Sequence, residues 1–157
     1  MQKRTEFSLA DSPTDFATAR ALFVEYRTEL NVDLCFQSFT AELDNLPALY
    51  APPTGRLIIA RVDGKIAGCV AVKKIDAKTC EMKRLYVKPE FRGNKVGIAL
   101  VKKIIEIARE LGYKAMRLDT LVSLERAVSI YKHVGFKSIP PYYHNPLPKV
   151  LFFEKAL

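Results

Sequence analysis

A strand-like run, Cys80 to Val87, leads through the basic turn Arg92-Gly93-Asn94-Lys95-Val96-Gly97 into a strongly helical segment, Gly97 to Leu111. A turn rich in backbone N–H groups that opens a helix is an anion site. The helix dipole and the unpaired amides of the first turn both favour a phosphate there. Arg92 and Lys95 bring cationic side chains to the same point. Two glycines in a short loop mean little alone, since many surface turns carry them. The succession of strand, basic loop and long amphipathic helix gives this turn its weight.

Arg4 to Ala10 alternates weakly and reads as an edge strand. Asp11-Ser12-Pro13 starts a helix, with Ser12 as N-cap and Pro13 at the first helical position. Phe16, Ala19, Leu22, Phe23, Tyr26 and Leu30 then recur at helical spacing. A short second helix is expected from Ser38 or Thr40 to near Pro47. Arg56 to Val62 and Lys65 to Lys74 are strands joined at Asp63-Gly64, a strong hairpin signal, and Thr79 to Val87 completes the meander. Ile98, Val101, Ile104, Ile105 and Ala108 form the apolar stripe of the central helix, which Gly112 ends. Ala115 to Thr120 is a strand, and Ser123 is expected to cap a helix ending at Gly135. Two further strands start at Phe136 and Lys149, separated by a rigid aromatic loop, Ile139 to Pro148. The order β-α-α-β-β-β-α-β-α-β-β predicts one domain over residues 1–157, a mixed α/β sheet with helices on both faces.

Two blocks of residues resemble the GNAT acetyltransferases. Leu85 to Leu100 is similar to that family's acetyl-CoA loop, whose consensus is Q/R-x-x-G-x-G/A. Arg92 and Gly97 match its first and last positions, and Lys95 stands where the middle glycine usually is. Arg126 to Phe136 matches a helix ending A-x-x-x-Y-x-x-x-G-F, through Ala127, Tyr131, Gly135 and Phe136. The resemblance covers most of residues 4 to 157, and from Cys80 to Pro146 it is similar to a bacterial subgroup. It implies the GNAT fold, a mixed, splayed β-sheet of about seven strands flanked by about four helices. The cofactor would lie where the strands Thr79–Val87 and Ala115–Thr120 separate.

The resemblance also implies site residues. Acetyl-CoA would meet Arg92, Gly93, Asn94, Lys95, Val96, Gly97 and Ile98 at its phosphates, and the backbone of Leu85, Tyr86 and Val87 along its pantetheine arm. Asp119, Thr120, Ser123, Ala127 and Tyr131 would complete the cofactor site. Lysine at position 95 is expected in an ordinary backbone conformation, adding a charge where glycine allows φ above zero. Many family members carry asparagine where this chain has Leu124, which cannot make that hydrogen bond; Asp119, Thr120 or Ser123 would compensate. Tyr131 matches the tyrosine that protonates the CoA thiolate, and a phenol of pKa about 10 is neutral at pH 7.

Glu81 matches the glutamate that serves as base in histone-acetylating members. The residues themselves leave two other readings open. Glu81 pairs with Lys83 on the same strand face, or the amine loses its proton to solvent. Cys80 reads as a buried thiol, with direct attack in a ternary complex preferred to an acyl-enzyme. The acceptor pocket is expected from the first two helices and the C-terminal loop: Phe36, Gln37, Phe39, Tyr50, Lys83, Tyr142, Tyr143, His144 and Asn145. The same Pro-Pro-Tyr-Tyr segment also reads as a packing loop.

Bulk properties bound the function. With 49% hydrophobic and 27% charged residues the chain is globular in composition, and no run approaches the roughly 20 apolar residues of a membrane span. Three cysteines without metal-like spacing, and an N-terminus without an apolar signal core, give the expectation of a cytoplasmic protein with no metal. The net charge of +8 is concentrated: Lys65 to Arg117 holds 14 Lys/Arg against 5 Asp/Glu. Such an excess attracts a polyanion such as CoA. The favoured function is N-acetyl transfer from acetyl-CoA to a small amine. A non-catalytic CoA-binding module and, last, a basic nucleic-acid-binding domain are the alternatives; the latter lacks a helix-turn-helix or an RNA-binding motif. A homodimer through an exposed C-terminal strand is a further expectation.

Overall fold

The computed structural model describes residues 2–34 and 38–157. Cys35 and the expected pocket residues Phe36 and Gln37 lie outside the described residues. Among the described residues, seven strands and five helices follow one another as β1 (Thr5–Leu9), α1 (Pro13–Leu30), α2 (Phe39–Asp44), α3 (Leu46–Leu49), β2 (Arg56–Val62), β3 (Lys65–Lys74), β4 (Thr79–Val87), α4 (Val96–Glu110), β5 (Ala115–Leu121), α5 (Glu125–His133), β6 (Lys137–Ser138) and β7 (Val150–Ala156). A single 3₁₀ turn, Pro89–Phe91, links β4 to the basic loop.

Local signals account for most boundaries. Ser12 accepts from the Asp15 amide while Asp15 reaches back to the cap, a capping box that starts α1. Asn31 ends it in the left-handed conformation. Asp63 and Gly64 have φ of 49° and 80°, the positive pair that a tight hairpin turn requires. Two boundaries differ from expectation. Pro47 does not end a helix; it sits in the first turn of α3, where a missing N–H costs nothing. Ser123 does not cap α5, which starts at Glu125 behind Leu124 with no side-chain cap.

The sheet order is β1-β2-β3-β4-β5-β7-β6. Neighbours are antiparallel except β4 and β5, which run parallel. On one face α1 and its followers bury Leu22, Phe23 and Leu46 against Leu57, Ile59 and Ala71. On the other, the α4 stripe Leu100, Val101, Ile104, Ile105 and Ala108 packs on Ile58, Val70, Met82, Met116 and Leu118. The C-terminal strand β7 lies between β5 and the short β6, so it is an interior strand, not the exposed edge expected from the sequence. Burial of Phe152 and Phe153 in β7 explains its place.

Parallel pairing of β4 and β5 is confined to Thr79↔Ala115, Cys80↔Met116 and Glu81↔Arg117. Beyond Glu81 the strands diverge, and β5 continues paired only to β7, up to Leu121↔Val150. The splay is therefore present between the strands where it was expected. On its other side β4 carries a bulge. The register with β3 jumps from Cys69↔Tyr86 to Ala71↔Lys83, and Arg84 takes φ of 59°.

Candidate active site

The splay opens a cleft of about 1260 Å³ between β4, α4, α5 and the C-terminal half of α1. Leu85, Tyr86 and Val87 form one wall, and Arg92, Gly93, Lys95, Val96, Gly97 and Ile98 form its end. Ser123 and Ala127 face them from the α5 side. Most residues expected at a cofactor thus line one space. Asn94 does not: its side-chain amide donates to the Phe91 carbonyl within the loop, at 3.2 Å. Asp119 and Thr120 line a separate, smaller cavity, and Tyr131 lines neither.

The loop's chemistry differs from expectation at two cations. Lys95 is the N-cap of α4 with φ of 60° and ψ of 19°. It does not use an ordinary conformation; it holds the left-handed geometry that glycine would adopt freely, at about 1–2 kcal/mol for a residue with a Cβ. The loop's need to turn into the helix outweighs that strain. No side chain caps the helix, so the first-turn amides of Val96, Gly97 and Ile98 keep their donors for a ligand. Arg92 reaches backwards instead. Its Nε donates to the Val87 carbonyl at 3.0 Å and its Nη2 meets Glu29 at 2.6 Å, with the guanidinium over the Tyr86 ring. Gly97 is a close-approach position: a Cβ there would lie 3.1 Å from Ile130 Cδ1 and 3.7 Å from Val87 Cγ2.

Tyr131 is buried on α5, its ring edge-on to Phe136 and tilted against Phe153. Burial pushes its phenol well up, and Tyr26 and Asp119 add to the effect. It is a neutral hydroxyl in a site that does not favour phenolate. Tyr26 on α1, which reads from the sequence only as a packing residue, lines both cavities and is raised in the same way, by burial first, with Arg84 opposing.

Glu81 lies where β4 and β5 are still paired, and it lines neither cavity. The Tyr142 hydroxyl donates to its Oε2 at 2.6 Å, and Lys83 and Lys73 stand 3.7 and 3.8 Å from Oε1. Burial and the facing Glu81 carboxylate push Tyr142 far up, so it keeps its proton. Burial pulls Lys83 down, with Glu81 opposing. Tyr143 donates to Asp119 Oδ2 at 2.5 Å and Asn145 Nδ2 to the same oxygen at 3.0 Å. The structure thus brings Glu81, Lys83, Asp119, Tyr142, Tyr143 and Asn145 together under the C-terminal loop. Tyr50 and Phe39 stand apart from them: Tyr50 bonds Glu42, and Phe39 stacks beneath Arg84. His144 lines neither cavity. Among the described residues no cluster of His, Cys, Asp or Glu could hold a metal, and no helix is long and apolar enough to cross a membrane.

Comparison with known proteins agrees with this geometry. Residues 18–136 match the acetyltransferase (GNAT) family model. An uncharacterized N-acetyltransferase of Schizosaccharomyces pombe is 48% identical, over 90% of this chain and 88% of that protein. One of Dictyostelium discoideum is 35% identical, over 87% and 91%. A crystal structure of an acetyltransferase from Streptococcus agalactiae superposes with a TM-score of 0.78 over 98% of each chain, at 23% identity, a likeness of fold. The similarity therefore reaches beyond bacteria to a fungus and an amoeba. With a family model spanning the splay, the loop and the α5 tyrosine, the chain belongs to the GNAT acetyltransferases and is an acyltransferase enzyme.

Proposed function

We propose that the protein moves an acetyl group from acetyl-CoA to the amine of a small molecule, by direct attack with both substrates bound. The observation that carries this reading is the cleft: a long space that ends on an uncapped helix N-terminus beside Lys95. Phosphate oxygens suit those amides, and Arg126 and His133 add basic side chains along the same wall. The splayed strand β4 offers backbone from Leu85 to Val87 for the amides of the pantetheine arm, although the Val87 carbonyl is shared with Arg92. Acetyl-CoA supplies the thioester carbonyl when bound.

The chain's own groups divide the remaining work. Tyr131 is assigned as the proton donor for the departing thiolate from its match to the family tyrosine and its neutral phenol; its α5 neighbours Ala127 and Ile130 line the cleft, and its own ring lies behind them. Glu81, held by Tyr142, orders the C-terminal loop over the acceptor side, with Lys83, Tyr143 and Asn145 beside it. Cys80 favours direct attack: burial pushes its thiol up to about 12, and it lines neither cavity, so Cys80 offers no accessible thiolate to carry an acyl group. Calorimetry with acetyl-CoA and CoA, followed by a screen of amines read as free thiol, tests the reading. Micromolar binding and thiol release dependent on an amine are expected. The absence of heat with either nucleotide would overturn it.

A further inference from the structure

The first helix is tied to the segment after β4 at two places. Glu25 and Glu29 lie four positions apart on α1, hence on one face. Glu25 meets Lys88 Nζ at 3.2 Å, and Glu29 meets Arg92 Nη2 at 2.6 Å. Of these four residues only Glu29 and Arg92 line the large cleft. A carboxylate on the wall of a polyanion site repels its ligand unless a cation covers it. Arg92 covers it by turning back along the cleft wall. Its Nε donates to the Val87 carbonyl at 3.0 Å, and its guanidinium lies over the Tyr86 ring. Burial and the Glu29 and Glu25 carboxylates push the Tyr86 phenol up to about 12, so it keeps its proton beside Glu29. The Arg92–Glu29 pair is open to water, its side chains 32% and 42% exposed. A pair so exposed is weak and readily exchanged, whereas a phosphate offers a guanidinium two oxygens and more charge.

We propose that Glu29 is a positioning residue for the cofactor, holding Arg92 back on the Val87 carbonyl until the phosphates of CoA take the guanidinium from it. The inference rests on the acetyl-CoA reading and adds the residue that sets how tightly the cofactor is held. One exchange serves both halves of the ligand. The guanidinium goes to the phosphate oxygens near the α4 amides, and the Val87 carbonyl is left to an N–H of the pantetheine arm. Glu29 turns to solvent and to the Tyr86 hydroxyl. Binding breaks one ion pair to make another. CoA is therefore held less tightly, and with less sensitivity to salt, than by an Arg92 with no acidic partner. Glu25 and Lys88 hold α1 against the same segment from outside the cleft.

Calorimetry with CoA at low and high salt would compare wild type, Glu29→Gln, Glu25→Gln, Arg92→Gln and the Glu29→Gln/Arg92→Gln double variant, with melting temperature as the control of folding. Glu29→Gln should bind CoA about three- to fivefold more tightly at low salt and lose affinity more steeply as salt rises. Arg92→Gln should bind about tenfold more weakly. In the Arg92→Gln background the Glu29 change should gain less than about twofold, because Glu29 acts through Arg92. Glu25→Gln makes the same charge change outside the cleft and should stay within about twofold of wild type. Unchanged or weaker binding in Glu29→Gln, at an unchanged melting temperature, overturns the inference and assigns Glu29 to bracing the loop. A gain that survives in the double variant overturns it in favour of plain repulsion. A second measurement uses wild type alone. The Arg92 side-chain Nε–H resonance, assigned through its backbone amide, should move when CoA is added, and a stationary signal overturns the exchange. A wild type that gives no heat with CoA overturns the acetyl-CoA reading itself, and the inference with it.

Discussion

Arg84 and Glu42 form a buried bidentate pair, Nη2 to Oε1 at 2.7 Å and Nε to Oε2 at 3.0 Å. It ties the β4 bulge to α2, and the Tyr50 hydroxyl donates to the same carboxylate at 3.0 Å. Arg84 is also the residue with φ of 59°, next in sequence to Leu85 on the cleft wall. The pair therefore holds a strained backbone position immediately beside the expected cofactor path.

Glu42→Ala should cost about 3–5 kcal/mol, because the Arg84 charge is left buried without a partner. Urea unfolding measures it. The pH dependence has a definite sign. Burial raises Glu42, but the Arg84 guanidinium outweighs it and leaves the carboxyl below its usual 4.5. A depressed folded-state pKa stabilises fully above 4.5 and loses that contribution as pH falls through the folded value. Wild type should therefore lose stability below pH 4.5 more steeply than Glu42→Ala.

Tyr131→Phe keeps the ring packing on Phe136 and Phe153 and removes only the hydroxyl. Turnover should drop by roughly 10²–10⁴ with CoA affinity and melting temperature nearly unchanged. A fall in rate that tracks a fall in stability would assign Tyr131 to packing.

Lys95→Gly places the family's usual residue at a left-handed position. Relief of about 1–2 kcal/mol of strain is offset by glycine's entropy, so stability should hold or rise by up to about 1 kcal/mol. CoA affinity should fall and become less dependent on salt, since one cation near the phosphates is gone. Calorimetry at two ionic strengths reads both.

Gly97→Val should weaken CoA binding through packing. Its Cβ would stand 3.1 Å from Ile130 Cδ1, so the end of the Ile130 side chain must shift at the cleft's end, and the larger valine presses it further. Gly97→Ala should show the same change to a smaller degree, and calorimetry with CoA compares the two.

Cys80 should resist alkylation in the native protein. Burial pushes its thiol up to about 12, and its Sγ lies 3.5 Å from the Ala115 carbonyl. Iodoacetamide at pH 8 followed by mass spectrometry should find it unmodified until the fold is opened.

Much of the fold was legible because its signals are local. Ser12 and Asp15, Asp63-Gly64 and Gly112 mark turns and caps through short-range hydrogen bonds and φ preferences. The α4 stripe repeats at helical spacing. Ser123 misled because a capping residue and an ordinary loop serine look alike until the helix start is placed. Lys95 misled because strain imposed by a loop's end points is invisible residue by residue. The expected edge at β7 failed because the strand starting near Phe136 is legible in the sequence but its pairing outside β7 is a long-range choice that local patterns do not encode.

The amino-acid order determined the strands, the helices, the basic loop and the tyrosine before Gly135, since each depends on neighbours a few positions apart. Tertiary structure decided which polar groups meet. Arg84 and Glu42 are 42 positions apart, Glu81 and Tyr142 are 61, and Asp119 and Tyr143 are 24. Those pairings depend on where β4 leaves β5 and where the C-terminal loop folds back over them. Sequence spacing does not encode such distances; the packing of both sheet faces does.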